Sequence, residues 1–323
     1  MKGLSEMDVI LKSWIKRLSG AAGVEYRLSL RDEATQRDLG QLAEQNAAIR
    51  SEIAVLAEEN AALRRDLARI DQRLGHVSRF GVAAVWHAFD RIDALAPPSR
   101  LTCLACGTED AAGAFAVKED QCIFGGGRLV RYGCPRCGCV FGPTKYLNLP
   151  ESIIDLDYTQ LYAGYSESDS TEGEIRTFRA LDPAKSGRYL NWGSGAWSAA
   201  IDRLRAEGYD VWGYEPNAEV DHPHVFRSRE QVTGLFDGVF SHNVIEHLLD
   251  PARQFAEFSE LLKPSGRMAH ASPCYEWCYA FTRFHVFFPL AGAAEALANR
   301  SGYTVSSRID DGDFRVRVFS RTA

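Results

Sequence analysis

The stretch 188-RYLNWGSGAWSAAIDRLRAEGYDVWGYEP-216 decides how this chain is read. An apolar run, Arg188 to Trp192, has the length of a buried strand and breaks into Gly193-Ser194-Gly195. The residues 198-SAAIDRLRAEG-208 then carry helical periodicity up to Gly208, a residue suited to a helix end. A second apolar run, 210-DVWGYEP-216, closes on the carboxylate of Glu215. Glycines at a strand-to-helix corner let a ligand approach the backbone, and an acid ending the next strand can take both hydroxyls of a ribose.

Downstream, 235-LFDGVFSHNVIEHLLDPARQFAEFSELLKPSGRMAHASP-273 orders a buried strand, a polar turn, a helix over 251–263, a Pro-Ser-Gly turn and another strand. The segment 302-GYTVSSRIDDGDFRVRVFS-320 reads as an antiparallel hairpin. In this order the chain resembles the class I S-adenosylmethionine-dependent methyltransferases over roughly residues 150 to 323. Gly193, Gly195, Glu215 and Ile245-Glu246-His247-Leu248 stand at the family's motif positions. The resemblance implies an α/β fold: a Rossmann-like sheet with helices on both faces. It also implies S-adenosylmethionine held by Asn191, Gly193, Ser194, Gly195, Glu215, His242 and Asn243. Asn191 replaces the usual acidic residue and Trp197 the usual third glycine. Only about twenty residues separate Glu215 from Asp237, so the helix and strand between them are expected to be short.

Upstream, 103-CLACGTEDAAGAFAVKEDQCIFGGGRLVRYGCPRCGCVFG-142 contains two Cys-x-x-Cys pairs, Cys103/Cys106 and Cys134/Cys137, each followed by glycine. Such turns aim two thiolates at one ion, and two of them complete a tetrahedron, so a structural Zn2+ is expected on these four residues. Cys122 and Cys139 are spare, with Cys139 a competitor for the place of Cys137.

A zinc module, a Tyr-rich linker (158-YTQLYAGYSES-168) and a methyltransferase domain in this layout resemble the sugar C-methyltransferases of deoxysugar and surface-polysaccharide pathways. That resemblance implies a sugar, nucleotide-sugar or glycan acceptor, methylated on oxygen or carbon. It points to 269-AHASPCYEWCYAFTRFHVFFPL-290 for the base and sugar contacts: His285 first, followed by Phe287-Phe288, with Tyr275 and Glu276. His247 is the second candidate base. Glu246-His247 also resembles the Glu-x-x-Glu-His metal sites of some O-methyltransferases, but Asn243 replaces the first glutamate, and no catalytic metal is expected.

Ahead of these modules, Leu39, Asn46, Ile53, Asn60, Leu67 and Leu74 alternate with Leu42, Ile49, Leu56, Leu63 and Ile70 at spacings of three and four. That is a coiled-coil seam with two asparagines at position a, which favours a parallel homodimer, with a trimer as the alternative. Residues 1–20 carry Leu4, Met7, Leu11, Trp14 and Leu18 on one helical face, able to touch a membrane surface or, more simply, their own chain. The expected organisation is an amphipathic helical segment over 1–36, coiled coil and connector over 37–96, a zinc ribbon over 97–148 and the methyltransferase domain over 149–323. Pro97-Pro98 marks the start of the ribbon.

With 46% hydrophobic residues the 323-residue chain can bury a sizeable core. A net charge of −6 with mixed signs provides no basic field for nucleic acid. No apolar run reaches the ~20 residues that span a bilayer, and a cytoplasmic location is expected. The alternative reading is a non-catalytic scaffold that carries a degenerate methyltransferase domain on a coiled coil.

Overall fold

The structure, a computed structural model, describes residues 3–162, 168–195, 199–218 and 221–322. Residues 163–167 of the Tyr-rich stretch and Trp197 therefore lie outside the described residues. The chain divides into two compact units, Met1–Leu74 and Gly75–Ala323.

Helix α1 runs over Gly3–Leu95 without interruption. In the first unit its apolar seam has no cover among the described residues: Leu39, Leu42, Ile49, Ile53, Leu56, Leu63, Leu67, Ile70 and Leu74 are each 52–64% exposed. Leu11, Trp14 and Leu18 are exposed as well, while the side chains of Leu4 and Met7 lie outside those described. The units do not divide at Pro97-Pro98, because the last turns of α1 belong to the second unit. There Trp86 is 2% exposed and stacks on Tyr146 with centroids 5.8 Å apart, and Asp90 pairs with Lys145.

The ribbon begins with a two-stranded hairpin, β1 (Arg100–Thr102) and β2 (Glu109–Ala111). It continues as β3 (Ala116–Gln121), β4 (Arg128–Gly133) and β5 (Val140–Phe141). Its fourth strand comes from far along the chain: β11, Phe287–Phe288, pairs antiparallel with β5. The ribbon and the domain after it thus share a sheet across the boundary expected at 148/149.

After α2 (Thr144–Leu147), α3 (Glu151–Tyr162) and α4 (Thr171–Ala180) comes the central sheet. Its strands are β6 (Arg188–Trp192), β7 (Asp210–Tyr214), β8 (Val225–Phe226), β9 (Phe236–His242), β10 (Leu262–Ala271), β12 (Tyr303–Asp311) and β13 (Phe314–Arg321). Their order is β8-β7-β6-β9-β10-β13-β12, with β13 antiparallel to both neighbours and the other pairs parallel.

Strand alternation sends side chains to two cores. Tyr189, Val211, Phe240 and Ala269 pack under α4 and α5 (Ala199–Ala206). Leu190, Val239 and Met268 face α6 (Pro251–Leu261) and α7 (Ala293–Arg300). Asp250 caps α6 by accepting from the Arg253 N–H at 3.1 Å, with Pro251 at the first helical position. Helix α6 ends at Leu261, and the Pro264-Ser265-Gly266 turn appears as a register shift inside β10. Between Glu215 and Asp237 the described residues form only the two-residue β8 and a short 3-10 turn at Arg229–Gln231.

From β6 the chain winds outward through β7 and β8, then returns to place β9 on the other side of β6. The crevice at the carboxyl ends of β6 and β9 is the topological switch point, where open α/β sheets bind ligands.

Candidate active site

At that crevice the Gly193-Ser194-Gly195 turn is tied to the next strand. The N–H groups of Gly193 and Ser194 both donate to the Tyr214 carbonyl, at 2.9 and 3.2 Å. Gly193 and Gly195 hold φ of +72° and +71°, a region that side chains with a Cβ enter only at a cost. At Gly195 a Cβ would meet no atom of the described residues within 4 Å, whereas at Gly193 it would lie 2.7 Å from Cγ2 of Val244. We therefore expect Gly193→Ala to lose roughly 1–3 kcal/mol of stability, read from urea denaturation midpoints. An unchanged midpoint would show that the turn is not held as described.

Glu215, half-buried at the end of β7, accepts from the Gly195 N–H at 3.1 Å and from the Asn217 N–H at 3.0 Å. One carboxylate thus spans the glycine turn and the loop after β7. On the β9 side, His242 stacks on Phe314, and burial, helped by the charge of Arg176, lowers its pKa to about 4. Asn243 follows with φ of +55° and donates its N–H to the Ala271 carbonyl at 2.9 Å. Asn191 is fully buried. The Oδ1 of Asn191, the Oγ of Ser194 and the Nδ1 of His242 are buried with no hydrogen-bond partner among the described residues. Buried polar atoms are normally satisfied, so these orphans, carried by the end of β6, the glycine turn and the end of β9, fit a polar ligand at the switch point.

The second cluster lies where the 3-10 turn Ile245–His247 meets the segment before β11. His247 and His285 face each other with ring centroids 4.9 Å apart. Nδ1 of His247 lies 3.0 Å from the Phe284 carbonyl and also contacts the Tyr158 hydroxyl. A carbonyl only accepts, so Nδ1 carries the proton and Nε2 keeps its lone pair. Burial lowers the pKa of His247 to about 4 against the raising effect of the Phe284 hydrogen bond. His285 is held well below the usual imidazole value by burial first, then by His247 and Arg131. Both rings are therefore neutral near pH 7, and the same burial makes each a weaker base than a free imidazole. With the buried Glu246, their donor atoms all lie within 4.8 Å of one another, a spacing that could also receive a metal ion.

Tyr275 and Glu276 are occupied elsewhere. The Tyr275 hydroxyl, buried, donates to the His270 carbonyl at 3.2 Å, and Glu276 pairs with Arg315 at 2.7 Å. His270 is a core residue, with Nδ1 2.8 Å from Ser241 Oγ and its ring among Phe255, Phe258 and Phe319. Burial lowers its pKa to about 3.

A group whose folded pKa is depressed contributes stability that is full above its unfolded value, near 6.5 for histidine, and is lost as pH falls toward the folded value. His242 and His270 alone should therefore remove roughly 3 kcal/mol of stability per pH unit between pH 6 and 5, and His247 and His285, lowered in the same direction, steepen the loss further. Denaturant titrations at pH 7.5, 6 and 5 measure this slope. A flat profile would mean that neither ring is buried neutral.

Two residues without a sequence signal hold the second cluster in place. Arg131 on β4 is completely buried and donates to the carbonyls of Ala280 (2.8 Å), Thr282 (2.6 Å) and His285 (3.0 Å). Burial lowers its own pKa to about 10. Arg283 makes a two-pronged pair with Asp157, both contacts at 2.6 Å. The ribbon strand β4 therefore sets the path of the chain that carries His285.

In the ribbon, Cys103, Cys106, Cys134 and Cys137 bring their Sγ atoms within 4.8 Å of one another. The Cys103–Cys137 and Cys106–Cys134 distances are both 3.6 Å. Four thiolates about 2.3 Å from a tetrahedral ion would stand about 3.8 Å apart, so the donor set fits zinc. The two turns match: Gly107 and Gly138 donate their N–H groups to the carbonyls of Cys103 and Cys134 at 3.0 and 2.9 Å, with φ of +72° and +80°. Cys139, fully buried, stays outside the four.

Residues 173–308 match the family model described as a methyltransferase domain. The seven-stranded order with its single antiparallel strand, helices on both faces and the glycine turn at the switch point are those of a Rossmann-like methyltransferase fold. Among solved structures, the chain is similar to CalO1, a methyltransferase in calicheamicin biosynthesis. The identity is 14% and the TM-score 0.39, over 55% of this chain and 60% of that one. It is also similar to the 1,6-didemethyltoxoflavin-N1-methyltransferase of Burkholderia thailandensis (13%, TM-score 0.43, 61% of this chain and 96% of that one). A third is the CcbJ methyltransferase from Streptomyces caelestis (17%, TM-score 0.37, 50% and 95%). Comparison by sequence with curated proteins finds no match. Among the described residues, no helix is long and apolar enough to cross a membrane.

Proposed function

We propose that the protein is an S-adenosylmethionine-dependent methyltransferase acting on a sugar, nucleotide sugar or glycan, with a structural zinc ion in its ribbon, and that it works as a homodimer. The observation that carries this reading is the meeting of the Gly193–Gly195 turn with the Glu215 carboxylate at the switch point, inside the segment that matches a methyltransferase domain. Asn191, Ser194, His242 and Asn243 surround the same turn. The cofactor, when bound, supplies an electrophilic methyl group. Glu215 orients the ribose hydroxyls, and the glycine turn admits the ligand close to the backbone.

The chain's own contribution to the chemistry is proton removal from the acceptor. His285, with His247 beside it, is the base, since both imidazoles are neutral at pH 7. Tyr279, 48% exposed, lies next to His285, and Phe281, 39% exposed, lies against Tyr279; the two offer rings with an apolar face and, in tyrosine, a polar rim. Such surfaces suit a sugar ring, which supports a carbohydrate acceptor.

The test is transfer from methyl-labelled S-adenosylmethionine to a panel of nucleotide sugars and lipid-linked oligosaccharides. A labelled product is expected, with transfer lost in His285→Ala while cofactor affinity holds. Full transfer by His285→Ala would remove that residue from the chemistry, and no labelled product from any member of the panel would overturn the acceptor class.

A further inference from the structure

The strand that leads into the glycine turn ends on an uncharged residue, but the crevice is not without a buried acid. Asn191 donates its side-chain N–H to Oε2 of Glu174 at 2.6 Å, and Ser170 donates its hydroxyl to Oε1 at 2.7 Å. Glu174 stands in the first turn of α4, before β6 in the chain, and is 7% exposed. Among the described residues no lysine, arginine or histidine pairs with it, and the charge that acts on it is a second carboxylate, Asp169. An anion that has given up water and faces another anion is costly unless something positive compensates.

The surroundings point the same way. The orphaned Asn191 Oδ1 belongs to the side chain that grips Glu174, and His242, whose Nδ1 also has no partner among the described residues, lies against the same helix. Gly173, next to Glu174, lets the His242 ring lie against α4, since a Cβ there would collide with Cε1 and Nε2 of that ring. Helix α4, the end of β6 and the end of β9 thus converge on a corner that holds a buried carboxyl group and the unsatisfied amide oxygen of Asn191. A ligand held by its ribose at Glu215 would reach this corner with its other end, and the chemistry that suits it there is a cation with several N–H donors.

We propose that Glu174, held by Asn191, receives the ammonium of the cofactor's amino-acid end, so that α4 supplies the carboxylate that β6 lacks. This rests on the cofactor assignment above. It also predicts that binding couples to ionisation: desolvation raises the pKa of the empty Glu174, and an ammonium partner would draw it back down.

Two ligands sharing one nucleoside separate the roles: S-adenosylhomocysteine carries the ammonium, and 5′-methylthioadenosine lacks the amino-acid end. In calorimetric titrations of the full-length protein, Glu174→Gln should weaken S-adenosylhomocysteine by about 10- to 100-fold, the range for a hydrogen bond to a charged group, and leave 5′-methylthioadenosine unchanged. Adding Asn191→Asp to Glu174→Gln should restore most of the loss. If Glu174→Gln does not fold, the wild-type protein still decides. The preference for S-adenosylhomocysteine over 5′-methylthioadenosine should shrink as pH falls from 7.5 to 5, and a constant preference would overturn the proposal. Equal weakening of both ligands by Glu174→Gln, or no weakening of either, would also overturn it. Wild-type protein that binds neither ligand would instead overturn the cofactor assignment itself.

Discussion

Removing zinc from the full-length protein, or replacing Cys134 with serine, should unfold the ribbon and abolish methyl transfer together. The ribbon strands are short: β1 and β2 have three residues each and β5 two. Small modules of this kind draw their stability from the ion, for which apparent binding free energies of about 10–16 kcal/mol are typical, as large as the whole stability of an ordinary domain. Transfer fails because Arg131 emerges from β4 just before the second pair of cysteines and clamps the carbonyls of Ala280, Thr282 and His285. Loss of β4 leaves those carbonyls unpaired and frees the segment bearing His285, and β11 loses its partner β5. Zinc content, limited proteolysis and transfer activity measured on the same samples form the test. A protein that keeps its activity and protease resistance with no metal would contradict a structural zinc.

Removing the first unit should have an equally large effect of another kind. A chain beginning at Gly75 is expected to be a monomer with its globular unit intact, and the full-length protein is expected to be a dimer at micromolar concentration. Nine leucine and isoleucine side chains stand exposed along one seam of α1. Burying each against a second copy is worth about 1.5–3 kcal/mol, on the order of 10 kcal/mol per chain, beyond the roughly 8 kcal/mol of a micromolar complex. Asn46 and Asn60, both at position a, meet their own copies only in a parallel, in-register pair, which selects orientation at some cost in stability. In that register Glu59 would face Arg64 of the partner, while Asp66 would face Asp71 and weaken the C-terminal end. The cut must fall at Gly75 and not at Pro97, since Trp86 is buried against Tyr146. Light scattering decides: a full-length monomer removes the coiled coil as the interface, and a dimeric Gly75 chain places the interface in the globular unit.

What the sequence reveals is what short-range physics encodes. The strand, glycine turn and helix over 188–208, the Cys-x-x-Cys turns and the seam from Leu39 to Leu74 each repeat or break a pattern within a few residues. Contacts that join distant segments leave no such trace. Glu174 looks like one more acid beside Asp169 and Glu172 on an exposed helix start, and only the packing of α4 against β6 buries it beside Asn191. Arg131 reads as an ordinary basic residue in a ribbon strand, yet it is wholly buried because carbonyls from 280–285 converge on it. Phe287-Phe288 reads as an aromatic neighbour of His285, but it is the fourth strand of the ribbon. Tyr275 and Glu276 lie close to His285 in sequence, and their polar atoms are committed to the His270 carbonyl and to Arg315. Pro97-Pro98 does end α1, but the contacts divide at Leu74, where the helix stops being a free seam and begins to pack.

The most direct test of the central claim is a calorimetric titration of S-adenosylmethionine into the full-length protein and into Glu215→Ala. One equivalent should bind the wild-type chain. Loss of the carboxylate that reaches across the glycine turn should weaken binding by roughly 1.5–3 kcal/mol, or about 10- to 100-fold. No binding to the wild-type protein, or a dissociation constant that Glu215→Ala leaves unchanged, would contradict the assignment of this crevice as the cofactor site.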